Sequence, residues 1–213
     1  KRNNRTNEID EINILDALRI INEEDKKVIN AINAKMKSIE KLIDLAIFCL
    51  SNKGRIIYVG SGTSGRLGVL DAVECIPTFS IESGKIIGIM AGGSKAMFSA
   101  IEGMEDNKKQ SIIDLKKHKV SNKDLIIGIS ASGSTPYVLS ALDYASSIGA
   151  KTGFIVCNNI KLSININALI EIIVGPEIIA GSTRLKAGTA TKMVLNMIST
   201  MVMIKQNKTF GNY

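Results

Sequence analysis

Three hydroxyl side chains lie in a glycine-rich stretch between an apolar run that predicts a buried strand, residues 55–59, and a pattern that predicts a helix, residues 64–74. The hydroxyls belong to Ser61, Thr63 and Ser64. A turn of this kind leaves backbone N–H groups free at the positive end of a helix, which makes a site for an anion. The chemistry expected here is the binding of a phosphate group.

The spacing of Gly60, Gly62 and Gly65 also satisfies the glycine pattern of dinucleotide-binding loops. That pattern requires an acidic residue about 20 residues further on, at the end of the second strand, to hold a ribose hydroxyl. The second predicted strand, residues 86–90, leads instead into Ala91-Gly92-Gly93. The loop is therefore better suited to a compact terminal phosphate than to a dinucleotide.

A second hydroxyl-rich loop follows the predicted strand over 124–129 and precedes a predicted helix over 135–148. Its hydroxyls are those of Ser130, Ser132, Ser134 and Thr135. By itself this loop is also compatible with an ordinary serine-rich turn that holds one helix cap. Parallel strands end at one edge of a sheet, so two such loops together favour a shared ligand site.

Carboxylates are the main candidates for proton transfer, because the single histidine, His118, lies in a lysine-rich polar run. Glu74 has apolar or small neighbours at the predicted end of its helix, where partial desolvation would let it hold a proton. A surface glutamate is the alternative. Glu102 and Glu105 are three residues apart and share one face of a predicted helix over 94–105, and their residue types do not choose between them.

A polar, cationic stretch follows Glu177 and runs into the last predicted helix, residues 185–205. Arg184 or Lys186 could neutralise a carboxylate or a phosphate there. Surface charge is the alternative, but cations at a helix start oppose the helix dipole.

The composition limits the classes of function. The net charge is +7, but basic residues are dispersed among acids rather than clustered with aromatics, which argues against nucleic-acid binding. Three cysteines form an odd, widely spaced set that fits reduced thiols and a cytoplasmic location. We find no metal-ligand spacing, signal peptide or run of 18 apolar residues, so we expect neither a metal nor a membrane.

From residue 55 onwards the chain alternates between strand and helix patterns, which predicts an α/β fold. We expect a three-layer αβα sandwich with a parallel five-stranded sheet, preceded by N-terminal helices. The expected division is a helical arm over 1–52 that packs on the core, and a sugar-phosphate-binding domain over 53–213. The remaining predicted strands are 152–156 and 170–174, and the remaining predicted helix is 108–118.

Several long sequence blocks resemble the N-acetylmuramic acid 6-phosphate etherase family, within the sugar isomerase (SIS) domain superfamily. The resemblance covers nearly the whole chain, and its blocks lie at residues 19–25, 59–72, 91–93, 102–106, 130–137, 175–177 and 181–200. It implies a lyase that cleaves the D-lactyl ether of its substrate with water to give N-acetylglucosamine 6-phosphate and (R)-lactate. The implied route opens the sugar, removes the C2 proton, expels lactate from C3 and adds water, with no cofactor.

The resemblance also implies roles for individual residues. Glu74 matches the acid/base that assists lactate departure, and Glu105 matches the other catalytic carboxylate, which would act at C2. The phosphate would be held by Ser64 and the second loop (Ser130, Ser132, Ser134 and Thr135), with Ser61 and Thr63 lining the same pocket. Full-length members continue into a small helical C-terminal region, which we expect to assist turnover.

Two other readings remain open: a non-catalytic sugar-phosphate-binding regulatory protein, and an aldose–ketose sugar-phosphate isomerase. The presence of both Glu74 and Glu105 favours the etherase over the regulator. We expect a homodimer, because the N-terminal helices and the methionine-rich last helix offer apolar faces.

Overall fold

The computed structural model describes residues 2–212. Its α-helices are α1 (Ile14–Asn33), α2 (Met36–Ser51), α3 (Gly62–Phe79), α4 (Gly93–Phe98), α5 (Lys108–Lys117), α6 (Pro136–Ser147) and α7 (Lys186–Lys205). Its strands are β1 (Ile56–Gly60), β2 (Ile86–Met90), β3 (Leu125–Ser130), β4 (Lys151–Val156) and β5 (Ala168–Glu171). Short 3₁₀ turns cover Asn4–Thr6 and Met104–Asp106.

The five strands form one parallel sheet in the order β2-β1-β3-β4-β5, which confirms the predicted fold class. β1 lies between β2 and β3, and its last residue, Gly60, pairs with Met90 on one side and with Ile129 on the other. Adjacent strands are about 4.8 Å apart, so the chain segments that follow these three strands leave the sheet side by side.

Helices cover both faces of the sheet because aliphatic strand residues point to both sides. One layer joins α1, α2, α3 and α7 in a buried cluster with the sheet. The other layer is formed by α5 and α6. All residues of β1 and β3 are buried, so the two strands that precede the hydroxyl-rich loops form a rigid base for them.

The N-terminal helices pack on the core through apolar residues and one buried ion pair. Lys186 Nζ donates to Glu24 Oε2 over 2.7 Å, and neither side chain is exposed. Burial alone would raise the pKa of Glu24, but hydrogen bonds from Lys186 and Lys27 outweigh it and lower this pKa to about 2. The pair links α1 to α7, while the division of the chain at residue 52 stays a prediction.

Two predicted helices differ from the observed ones. The helix predicted over 94–105 is wrong: α4 ends at Phe98, because Ser99 is extended and Gly103 has a φ of 75°. The helix predicted over 64–74 continues to Phe79 and contains Pro77 near its end. The sequence pattern did not predict the end of α4, because helix-forming residues continue past Phe98. It did not predict the full length of α3, because a proline such as Pro77 usually marks a helix boundary.

By length and composition, α7 is the helix in the described part of the chain that could cross a membrane. Its apolar residues Val194, Leu195 and Ile198 are buried against the sheet layer, as in the core helix of a globular domain.

Candidate functional site

The first loop brings the start of α3 close to the end of β1. A Cβ atom on Gly60 would lie 2.6 Å from the backbone nitrogen of Gly65, so a side chain there would push the helix away. Ser61 occupies the N-cap position, but its side chain makes no capping hydrogen bond. In α1 and α5, by contrast, the N-cap asparagines accept a hydrogen bond from the first turn. The first-turn amides of α3 are thus not capped by Ser61.

The second loop holds its hydroxyls in one hydrogen-bonded network. Ser130 Oγ lies 2.7 Å from Thr135 Oγ1 and accepts a hydrogen bond from the backbone of Gly133. Ser134 Oγ donates to Ser132 Oγ over 3.0 Å. Gly133 has a φ of 77°, which lets the loop fold back on itself. Packing does not require four clustered hydroxyls, so this arrangement suits an anion with several acceptor oxygens.

The N-terminus of α6 is also not capped by a side chain. Thr135 is its N-cap and makes no capping hydrogen bond, and Pro136 takes the first helical position. Because β1 and β3 are neighbours, the two helix starts lie at the same sheet edge. We call this region the hydroxyl cradle, and it comprises Ser61, Thr63, Ser64, Ser130, Ser132, Ser134 and Thr135.

A cavity of about 290 Å³ opens on the other side of the β1 exit, towards β2. Its polar lining includes Ser61, Arg66, Glu102 and Glu105. Its apolar lining includes Met90, Ala91, Ala96, Ile101 and Met104. Over residues 2–212, the lining contains neither Thr63, Ser64 nor any hydroxyl of the second loop, so the cavity and the cradle meet at Ser61.

Glu105 is the predicted carboxylate that the structure brings to the first loop. Ser61 Oγ donates to Glu105 Oε2 over a long 3.4 Å, and the glutamate is exposed to solvent. Glu102 also lines the cavity, but the prediction that both residues share a helix face is wrong. Gly103 turns the chain between them, and only Glu105 lies in the 3₁₀ turn.

Glu74 lies outside the cavity and away from the first loop. It is 12 residues beyond the start of α3, or about 18 Å along the helix axis at 1.5 Å per residue. The expected partial burial is absent in the single chain, where Glu74 is exposed, and the helix does not end at this residue. Within one copy, Glu74 and Glu105 are therefore too far apart to act on one sugar.

One turn before Glu74, a buried carboxylate fixes the rotation of α3. Asp71 accepts hydrogen bonds from Tyr58 on β1 and from Asn196 and Ser199 on α7, over 2.7–3.0 Å. Burial and the Asp71 charge raise the pKa of Tyr58 well above its ordinary value, so the phenol stays a donor. This network orients the outer face of α3, which carries Glu74.

Two of the three charged residues singled out around the start of α7, Glu177 and Lys186, have structural roles. Glu177 accepts from the backbone nitrogens of Lys186 and Ala187 and so supplies the negative charge at the α7 N-terminus. Lys186 is committed to Glu24, which corrects the expectation that it neutralises a ligand. Arg184 is exposed.

Arg66 lines the cavity, although the sequence alone predicted no role for it. A cation one turn into a helix whose N-terminus should bind an anion opposes the helix dipole. That conflict was the signal in the sequence that Arg66 has a specific partner.

Solved structures with the same architecture define the class of fold. The chain aligns with a phosphoheptose isomerase from Francisella tularensis at a TM-score of 0.70 and 16% identity, covering 91% of this chain and 100% of that one. It aligns with a phosphoheptose isomerase from Neisseria gonorrhoeae at a TM-score of 0.62 and 15% identity, covering 87% and 95%. The Vibrio vulnificus NanR protein complexed with ManNAc-6P gives 0.59 and 16%, covering 89% and 64%. The fold is that of SIS sugar isomerase domains.

Sequence relatives narrow the class further. The model for the glucokinase regulatory protein N-terminal SIS domain matches residues 30–146. An N-acetylmuramic acid 6-phosphate etherase of Staphylococcus epidermidis is 53% identical over 99% of this chain and 72% of its own length. N-acetylmuramic acid 6-phosphate etherase 1 of Bacillus licheniformis is 51% identical over 100% and 70%. The chain belongs to the N-acetylmuramic acid 6-phosphate etherase family.

Proposed function

We propose that the protein is a lyase that cleaves the D-lactyl ether of N-acetylmuramic acid 6-phosphate. The products are N-acetylglucosamine 6-phosphate and (R)-lactate. Family membership at about half identity over the whole chain supports the substrate and the reaction. The observation in the structure that carries the proposal is the position of Glu105, beside Ser61, in a cavity that adjoins the hydroxyl cradle.

The cradle is proposed to bind the 6-phosphate. Its side-chain hydroxyls and the uncapped first turns of α3 and α6 supply donors to several phosphate oxygens at once. The cavity lies at the same carboxyl end of the sheet, one strand further towards β2, so its centre is about 5–10 Å from the cradle. A hexose 6-phosphate spans that separation and places its C1–C3 end in the cavity.

The chemistry needs a base at C2 and an acid at the ether oxygen of C3. With the sugar open as its aldehyde, Glu105 removes the C2 proton, which the adjacent carbonyl acidifies. The C3–O bond then breaks, and the departing oxygen takes a proton to become the hydroxyl of lactate. Water adds its oxygen to C3 of the unsaturated aldehyde, and a proton returns to C2.

Glu74 is proposed to act as the acid from a second copy of the chain. Its neighbours on α3 are apolar and exposed: Leu70 is 50% exposed and Val73 is 55% exposed. α7 also exposes two apolar side chains, Met201 and Ile204, which are each 38% exposed. A second copy packed on this surface would bury it and would desolvate Glu74, which could then act as the acid at the cavity of the other copy. We therefore propose a homodimer.

A regulatory sugar-phosphate-binding protein is the second candidate, because the matched SIS model describes a regulatory protein. Such a protein would bind the phosphate in the same cradle and release no lactate. The cavity carboxylates favour catalysis, since sugar binding alone does not require an acid and a base. The free cysteines, two buried and one half-buried, fit a reducing compartment, and we propose a cytoplasmic location.

The test is the release of (R)-lactate from N-acetylmuramic acid 6-phosphate, measured for the parent and for Glu105→Gln. Glu82→Gln is the matched control, because Glu82 is exposed in the turn before β2, at the opposite end of the sheet. We expect lactate from the parent and the control, and a loss of about 10²–10⁴-fold for Glu105→Gln. Saturable sugar-phosphate binding without lactate would support the regulator instead.

A further inference from the structure

Arg66 donates its guanidinium hydrogen bonds to the backbone of the cavity wall. Nε donates to the carbonyl oxygen of Met97 over 3.1 Å. Nη2 donates to those of Ala96 over 2.6 Å and Ser99 over 3.3 Å. The last carbonyls of a helix have no partner within the helix, so Arg66 caps the C-terminal end of α4.

The capped segment leads directly to the carboxylates. Ala96 and Ser99 line the cavity, and the chain from Ser99 to Gly103 is exposed before it reaches Glu105. At its far end, Asn107 caps α5 by accepting a hydrogen bond from the backbone N–H of Gln110. The segment from Ser99 to Asn107 is thus held at both ends. Arg66 of α3 holds the end at Ser99, and the cap of α5 holds the end at Asn107.

Arg66 also lies one helical turn after Gly62, on the helix whose N-terminus contributes to the cradle. Residues four apart face the same side of a helix, so the Arg66 side chain and the first loop share one face of α3. The first loop of the cradle and the carboxylate segment are therefore held by a single rigid element, α3.

We infer that Arg66 is a positioning residue that sets the place of Glu105 in the cavity and is not a ligand of the phosphate. This inference rests on the proposed function for its kinetic consequence only. An arginine is required because its planar fork reaches several carbonyls at once, whereas lysine offers a single point charge. A displacement of Glu105 by about 1 Å is enough to cost about 100-fold in rate.

The experiment compares Arg66→Ala and Arg66→Lys with the parent in three measurements: lactate kinetics, the Kd of inorganic phosphate, and amide hydrogen exchange over residues 96–106. For Arg66→Ala we expect kcat to fall by about 100-fold. Exchange should become faster over 96–106 alone, and the Kd of phosphate should stay unchanged. Arg66→Lys should lie closer to Arg66→Ala than to the parent in kcat.

Arg55→Ala is the matched control. Arg55 also clamps backbone, donating to the carbonyls of His118 and Lys119 and to Asp124, but it precedes β1 at the other end of the sheet. Its loss should lower stability, speed exchange near residues 118–124 and leave kcat unchanged.

A rise of about tenfold or more in the phosphate Kd, with exchange over 96–106 unchanged and Arg66→Lys near the parent, would make Arg66 a phosphate ligand and overturn the inference. If Arg66→Ala unfolds, exchange rises everywhere and Arg66→Lys decides by the same criteria. If the parent releases no lactate, the proposed function fails, while exchange and phosphate binding still test the clamp.

Discussion

Two inactive variants should restore each other's activity if Glu74 and Glu105 act across two copies of the chain. The perturbations are Glu74→Gln and Glu105→Gln, each of which keeps the size of the side chain and removes its charge. Twelve residues of helix separate Glu74 from the start of α3, or about 18 Å. Pairs of carboxylates that act on one sugar in glycosidases lie about 5–10 Å apart. One copy therefore cannot supply both groups.

The size of the recovery follows from symmetry. When the two variants are made in the same cell and pair at random, half of the dimers contain one copy of each. In a two-fold symmetric dimer, each mixed pair has one site with both glutamates and one site with neither. The mixture should therefore regain about one quarter of the parent activity.

The assay is lactate release by the co-produced variants, which carry different tags so that mixed dimers can be isolated. Co-production of Glu74→Gln with Glu74→Ala is the control, because two changes at one position cannot complement each other. Mixed dimers that form and release no lactate would refute the assignment of Glu74 to the second copy. The acid would then be sought in the same chain, with Glu102 as the first candidate.

Further outcomes follow from individual contacts. Ser132→Ala should raise KM for the sugar phosphate by about tenfold, whereas Ser147→Ala at the far end of α6 should not; equal effects would contradict the cradle. Glu24→Gln should cost about 3–5 kcal/mol in urea unfolding by leaving Lys186 buried without its partner, and adding Lys186→Met should recover much of that loss. Since the pKa of Glu24 is lowered from 4.5 to about 2, its share of stability should be present above pH 4.5 and lost as pH falls towards 2. Gly88→Ala should destabilise by about 1–3 kcal/mol, because its Cβ would lie 2.5 Å from a backbone atom of α3; unchanged unfolding would contradict this.

The sheet and the two loops could be predicted because each depends on residues close in sequence. Buried strands give short aliphatic runs, and hydroxyl and glycine clusters mark the turns that follow them. The strand before Ser130 and the helix after Thr135 were therefore predicted to within a residue or two.

The placement of side chains that depend on distant partners could not be predicted. The partner of Lys186 is 162 residues away, so its charge was taken for a ligand contact. The end of α4 depends on Arg66, which is 30 residues away, and on Gly103. The burial of Glu74 depends on which parts of the fold pack against the outer face of α3. The residues next to Glu74 in the sequence do not determine that packing, so its exposure could not be predicted.

The proposed reaction is an elimination followed by the addition of water, and the incorporation of isotopes from the solvent tests both steps. The protein would be given N-acetylmuramic acid 6-phosphate in water labelled with oxygen-18 and, separately, in deuterium oxide, and both products would be examined by mass spectrometry and NMR. The elimination–addition route requires labelled oxygen at C3 of N-acetylglucosamine 6-phosphate, deuterium at C2, and no labelled oxygen in lactate. Labelled oxygen in lactate, or an unlabelled C2 in product released at the normal rate, would contradict it.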